Sequence, residues 1–426
     1  MFIIRRAKVD DADTLLKLSR MVHFINLPPD REIIVQKIIH SRNSFLSACG
    51  SNQPLEPEPE PTLVADSGTG ELKLVGLGQG TAESDLFMFV LEELETSQPV
   101  GTSQVLARMG GVENPNVRYK LEKREFFSES LQTGTTHMVA RFDLDRSGPS
   151  EIGGLIIQPS FRGHPKKLGR SLALIRFHFI GLHRALFSDR ILAEMMAPIT
   201  AEGDNLLWDY LGRRFVPLSY DEADRFCQYS REFIHALLPK DDIYLSLLPP
   251  AARALVGQVG PETIPARKML ERLGFEYHGY VDPFDGGPHL EARTDELSVV
   301  RDTKWKRMGE PAARSACSGR ALVSLSQNDG DFFACEESYC LDARGRVCLP
   351  RQSMEAIYAE PGDRIGFTPL VPAGQRTAGT SARGGKASGS NKTGRKTATK
   401  PAARKKRAAA TTSAARKTKK KPARRA

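Results

Sequence analysis

The chain has 426 residues, 61 of them Lys or Arg against 51 Asp or Glu, and 40% are hydrophobic, enough to fill real cores and to exclude disorder throughout. The charge is uneven: Val371 to Ala426 holds 18 Lys/Arg and no acid, which leaves 43 basic and 51 acidic residues, net −8, in the first 370. No apolar run approaches the ~20 residues that span a bilayer, and Met1-Phe2-Ile3-Ile4-Arg5-Arg6 reads as a strand rather than a signal peptide, so a cytoplasmic protein with no membrane partner is expected.

Phe2 to Ala7 is strand-like, and Asp10 or Asp11 can cap a helix through Leu15, Leu16 and Leu18. After the turn Leu27-Pro28-Pro29-Asp30, Asp30 can cap a second helix through Ile33, Ile34, Ile38 and Ile39. Residues 51–83 are rich in Pro, Gly and Glu and read as an extended, disordered insertion. Leu86 to Leu91 is a buried strand, with Val100 to Val105 as its hairpin partner. Glu151 to Gln158 is a strand ended by Pro159. A basic, glycine-containing turn, Phe161 to Arg170, then opens into a helix through Leu172, Ile175, Phe179 and Leu182. Ile191 to Met195 is another short strand.

Leu207 to Phe215 and Met269 to Tyr277 share one grammar, a helix stopped by glycine and then a strand, which suggests two related αβ halves. Residues 296–370 contain short apolar runs split by turns, the pattern of a small β domain. Residues 371–426 have nothing apolar enough to build a core and read as a disordered basic tail suited to DNA or RNA phosphates. The expected divisions are therefore a body over 1–295, a β domain over 296–370 and a tail over 371–426. Cys335, Cys340 and Cys348 match no zinc spacing, so reduced thiols and no metal are expected.

A strand, a glycine-containing basic turn and a helix form a site for a phosphorylated ligand. The first N–H groups of the helix lack partners and, with the helix dipole, attract phosphate oxygens. Arg162, Lys166, Lys167 and Arg170 would add charge-assisted bonds. The order of elements is the layout of the GNAT acyltransferase fold, an α/β fold whose corresponding turn grips the pyrophosphate of coenzyme A.

A closer resemblance lies in the motifs. EIGGLIIQPSFR at Glu151–Arg162 is similar to "ELCxLFLxPxxR", and LAEMMAP at Leu192–Pro198 to "xAEMRGV". Leu207–Asp224 is similar to "FWxxLGxxFFxMDFxxAD". Phe233–Ala292 is similar to a long pattern that contains "GQVHPxTxPA" and ends "YVDIFDGGPTLE". These patterns are those of the arginine N-succinyltransferase family, which the chain resembles over nearly all of 1–370.

The resemblance implies a GNAT-like body and transfer of succinyl from succinyl-CoA to the α-amine of arginine in arginine catabolism. It places a succinyl-CoA contact at Leu155, with Arg162, Lys167, Gly169 and Arg170 in the phosphate turn. Asp224, Asp285 and Glu291 are its candidate substrate carboxylates. The family's active-site histidine, in "GQVHP", falls on Gly260 here. His23, His137, His164 and Glu194 are the candidates to replace it. The phosphate turn is two residues longer than the family's "RxxGNG". The early "GxGxTSLP" becomes Met21 to Pro28. Two alternatives stand beside this reading: an acyltransferase for another amine, and a degraded acyltransferase fold that binds nucleic acid through its tail. A homo-oligomer is compatible with each.

Overall fold

Short apolar runs become strands, and nearly all of these join one sheet. In chain order they are β1 Phe2–Arg6, β2 Thr62–Ala65, β3 Leu72–Val75, β4 Leu86–Glu93, β5 Gln98–Leu106, β6 Asn116–Ser128, β7 Thr133–Asp145, β8 Ser150–Ile157, β9 Arg190–Glu194, β10 Ile243–Tyr244, β11 Glu276–Val281, β12 Pro288–Arg293, β13 Lys304–Arg307, β14 Gly319–Ser326, β15 Phe332–Leu341, β16 Val347–Cys348 and β17 Arg364–Pro369. The helices that matter below are α1 Ala12–Ser19, α2 Arg31–Ala48, α3 Leu168–Leu182, α4 Leu206–Tyr210, α5 Tyr220–Cys227, α6 Glu232–Leu237 and α7 Ile264–Leu273. This computed structural model describes residues 1–21, 27–65, 72–78, 83–200 and 204–370. The expected tail and His23 lie outside the described residues.

The large sheet runs β10-β7-β6-β11-β12-β9-β8-β5-β4-β1-β15-β14-β17-β13, with β16 beside β15. β8 and β9 are a parallel pair, joined by α3 as the crossover. α3 covers one face through Leu172, Ile175, Phe179 and Ile180, packed with Phe87, Phe89, Val105 and Ile191. α1 and α2 cover the other through Leu15, Ile34 and Ile38, packed with Met88, Val90 and Leu192. Each fully buried side chain of this size contributes about 1.5–3 kcal/mol, so the strand that separates the two cores is held from both sides.

The expected caps separate instructively. Asp30 does cap α2, accepting from Glu32 N at 2.8 Å and Ile33 N at 3.1 Å. Asp11 does not cap α1 with its side chain. Buried Arg5 claims both of its oxygens, at 2.7 and 2.8 Å. The two glycine echoes also differ. Gly274 ends α7 with φ +112 and leads into β11. Gly212 leads into a 3-10 turn instead, and it is required because a Cβ there would lie 2.2 Å from the Trp208 ring.

The described part of the 51–83 insertion is more ordered than its composition suggests. β2 and β3 form a hairpin, and Glu58 bonds His40 and Asn43 of α2 at 2.6 Å each. Residues 296–370 continue the large sheet through the β1–β15 pair and keep their own core around Val323, Phe333, Met354 and Ile365. No helix among the described residues is long and apolar enough to cross a membrane.

Candidate active site

The middle of the sheet opens into a V. β8 and β9 pair only at Ser150–Ile191 and Glu151–Leu192 and then diverge. Beyond Glu151 the β9-facing edge of β8 has no ladder among the described residues; Arg176 Nη1 donates to Gly153 O at 3.3 Å and Arg162 Nε to Ile157 O at 3.3 Å, and side-chain bonds of this kind can give way to a ligand. The opposite edge carries a bulge. Thr102 pairs with Ile156 and Gln104 with Gly153, which leaves Gly154 and Leu155 opposite one residue, Ser103. Gly154 sits at φ +57, and a Cβ there would approach Gln104 Cγ to 3.1 Å. Bulges re-aim local groups. The Leu155 side chain packs against the α3-side core, so this position offers a ligand its backbone.

The basic turn closes one end of the V. Lys167 takes a left-handed conformation, φ 53 and ψ 46, and starts α3 with no side-chain cap. The first amides of this 15-residue helix therefore face outward with the positive end of its dipole. A Cβ on Gly169 would meet only Ile157 Cγ1, at 3.5 Å, so the space beside the helix start is left open by the protein. Arg162 is steadied by Glu262 at 3.1 Å. Arg170 faces Glu336 at 3.5 Å.

Deeper along β9, on the face covered by α1 and α2, polar groups from five segments converge. Glu194 ends β9. Its Oε1 accepts from Asn116 Nδ2 at 3.0 Å, and its Oε2 lies 3.8 Å from Arg231 Nη2. Arg231 also donates to Asn116 Oδ1 at 3.0 Å. His289 of β12 stands opposite Glu194 in the ladder, with its Nε2 3.6 Å from Oε1. Asp282, in the loop after β11, accepts from the Phe284 amide at 2.7 Å. One ligand-type atom each of Glu194, Asp282 and His289 lies within 4.8 Å of the others. Asn116, Arg231, Asp282 and Phe284 line a small cavity at this point.

The electrostatics of this recess are uneven. Burial opposes ionisation of Glu194, but Arg231, His289 and the Asn116 bond hold its carboxyl below the usual range. Burial pushes Asp282 well up, with Asp285 and Glu194 adding to the effect. Burial raises Asp224 to about 7 against the pull of Arg231. Lys37 of α2 is lowered to about 8 by burial, opposed by Glu151 and Asp224. Glu151, Glu194, Asp224, Asp282 and Asp285 thus share the region with Lys37 and Arg231, and Arg118 acts on His289 at its side.

The structure distributes the residues singled out by sequence. Leu155, Arg162, Lys167, Gly169 and Arg170 gather at the V and its turn. Glu194, Asp224 and Asp285 gather in the recess. Asp224 is half-buried, and its shielded Oδ1 has no hydrogen-bond partner. Both oxygens of Asp285 are committed to backbone, Ala197 N at 2.8 Å and Gly287 N at 2.7 Å; burial raises it to about 6 while these bonds pull it down. Glu291 is bound by Arg118 at 3.0 Å and Arg190 at 2.6 Å. His164 Nδ1 accepts from the Lys166 amide at 3.2 Å, and its ring meets Phe2. His137 lies on the β6–β7 ribbon, bonded to Ser246 at 2.6 Å. Lys37, Asn116 and Arg231 entered no sequence motif; Asp282 and His289 lie inside the stretch similar to "YVDIFDGGPTLE" but are not among its candidate site residues. For His289 a signal existed: GGPHLE stands where the quoted pattern has "GGPTLE".

A profile described as "Arginine N-succinyltransferase beta subunit" matches residues 77–299. The arginine N-succinyltransferase of Enterobacter sp. (strain 638) is 32% identical over 291 residues, 67% of this chain and 82% of that one. The chain belongs to the arginine N-succinyltransferase family. It is an acyltransferase. The Yersinia enterocolitica arginine N-succinyltransferase is 35% identical over 223 residues, 52% of this chain and 64% of that protein. The fold matches that of arginine/ornithine succinyltransferase subunit AI from Pseudomonas aeruginosa. The TM-score is 0.67 at 24% identity, over 87% of this chain and 98% of that one.

Proposed function

We propose that this member of the arginine N-succinyltransferase family transfers the succinyl group of succinyl-CoA to the α-amine of arginine in the cytoplasm. The observation that carries this reading is the acidic recess beside the open edge of β8. Its carboxyl groups outnumber the cations Lys37, Arg118 and Arg231, which suits a substrate with a guanidinium and an ammonium, and Arg231 or Lys37 can pair with the substrate carboxylate. Asp224, with a shielded oxygen left unpaired, is the proposed guanidinium partner.

The coenzyme side follows from the V. The pantetheine arm lies along the β8 edge that the β9 ladder leaves, and the bulge at Gly154–Leu155 directs an amide at the thioester carbonyl. The helix start at Lys167–Arg170, with Arg162, takes the phosphates. The reaction needs a deprotonated amine, a polarised carbonyl and a proton for the departing thiolate. Glu194, at the end of β9, is the carboxylate proposed to receive the amine proton. Positioning of amine and thioester supplies a large part of the rate.

The test is thiol release from succinyl-CoA against a panel of amines. Arginine is expected to be the preferred acceptor; preference for another amine would change the substrate assignment, and no turnover with any amine would remove the activity.

We also propose that the 371–426 tail binds nucleic acid through its 18 Lys/Arg residues. Affinity for duplex DNA should fall with salt at a log–log slope of about −0.9 per phosphate neutralised. Salt-independent binding, or none, would remove this partner.

A further inference from the structure

Position 260 has no side chain to move a proton. Gly260 donates its amide to Met196 O at 3.0 Å. A Cβ there would meet Ala197 O at 3.5 Å and Thr263 Oγ1 at 3.8 Å. The loop thus lies against the segment that follows Glu194. On the other side of the same segment, Met195 N donates to Pro288 O at 3.1 Å, and the next residue is His289.

His289 is 1% exposed, and neither of its ring nitrogens has a hydrogen-bond partner. Buried polar groups are nearly always paired, so an imidazole with both nitrogens unpaired calls for an explanation. Glu194 Oε1 lies 3.6 Å from its Nε2, a distance that bond formation on substrate binding can shorten. The groups that act on it come from every side: Glu194 of β9, Arg118 of β6, Glu291 of β12 and Arg231 before α6. Asp282 adds a carboxyl from the loop after β11.

We infer that His289 supplies, from strand β12, the proton-holding side chain that position 260 lacks, and acts on the substrate amine through Glu194. The inference rests on the transferase reading above. The substrate ammonium gives one proton to the Glu194 carboxylate, which passes it to the neutral imidazole of His289. The freed amine attacks the thioester carbonyl; the C–N bond forms and the C–S bond breaks. The second N–H proton goes to the departing CoA thiolate, and His289 returns its proton to solvent. One amide, one thiol and one released proton balance the reaction. His289 is a positioning residue in this scheme, since it reaches the substrate only through Glu194.

The test compares full-length wild type with His289→Asn, His289→Thr and His289→Thr/Gly260→His. Both single variants should lose kcat about a hundredfold, with KM for both substrates within about threefold. Burial lowers the pKa of His289, with Glu194 opposing, so the neutral acceptor persists below the ordinary histidine range. The acid limb of wild-type kcat/KM should lie there and should move in the variants. Adding Gly260→His to His289→Thr should recover at least about tenfold. Single variants that keep kcat within about threefold, with an unmoved acid limb, overturn the inference. So does wild-type activity that is lost to chelator and restored by zinc, because the same three groups would then hold a cation. If the variants do not fold, 15N histidine NMR on the wild type decides: the His289 resonance should shift when arginine is added, and an unmoved resonance overturns the role. Wild type that releases no thiol with arginine overturns the transferase reading and this inference together. Wild-type turnover with unaffected variants overturns the inference alone.

Discussion

Glu336 of β15 accepts a hydrogen bond from Ser171 Oγ at 2.6 Å. This ties a strand from the C-terminal part of the sheet to the first turn of α3, which the proposal assigns to coenzyme phosphates. The same carboxylate faces Arg170 at 3.5 Å and Arg320 at 3.1 Å. Residues 296–370 thus brace the turn as well as extend the sheet.

The paired change Lys167→Glu/Arg170→Glu places two acids at the helix start, where the dipole and open amides favour anions. Calorimetry should show CoA affinity reduced at least about tenfold, with the melting temperature little changed. Undiminished binding would move the phosphates elsewhere.

Gly154 holds the β8 bulge at φ +57. Gly154→Ala forces a side chain into a left-handed conformation and against Gln104, at a cost of about 1–2 kcal/mol. Denaturant unfolding should read that loss. In the folded variant kcat should fall more than KM for succinyl-CoA rises, because the bulge aims a backbone donor that matters most in the transition state.

Much of this geometry was legible in the sequence, because it rests on local rules. Asp30 caps its helix, the Pro159 turn ends its strand, and the basic turn opens a helix at Lys167. What was not legible depends on residues far apart in the chain. Asp11 leaves its helix unaided because Arg5 competes for it, and Gly212 answers to the Trp208 ring rather than to a strand. The recess draws Asn116, Glu194, Asp224, Arg231 and the Asp282–His289 stretch from separate parts of the chain, and only Asp282 and His289 share a motif. His289 changes one letter of a pattern, and only the neighbouring β9 strand gives that letter chemical meaning.

Asp224 links binding to stability. Burial raises its carboxyl to about 7, with Asp221 and Asp285 adding and Arg231 opposing. A carboxyl raised in the folded state holds a proton that the unfolded chain releases above about 4, so stability falls as pH rises from there towards 7. Asp224→Asn removes that loss. Its melting temperature should exceed wild type by an amount that grows from pH 5 to pH 8, equivalent to about 4 kcal/mol at the upper end. Its KM for arginine should rise at least about tenfold. A normal KM would take Asp224 out of the substrate site.

Glu291→Gln tests a different function of a recess-side carboxylate. Glu291 joins Arg118 and Arg190, which also share Asp145. Removing one member of a buried network strands the others, at about 3–5 kcal/mol. Thermal melting should show this loss. A stable variant with a raised KM for arginine would instead make Glu291 a substrate contact.

The account is tested most directly by incubating the full-length protein with succinyl-CoA and arginine, following free thiol and identifying the product by mass spectrometry. It predicts saturable thiol release matched mole for mole by arginine succinylated on its α-amine. Thiol release that does not depend on arginine, or arginine recovered unmodified, would contradict it.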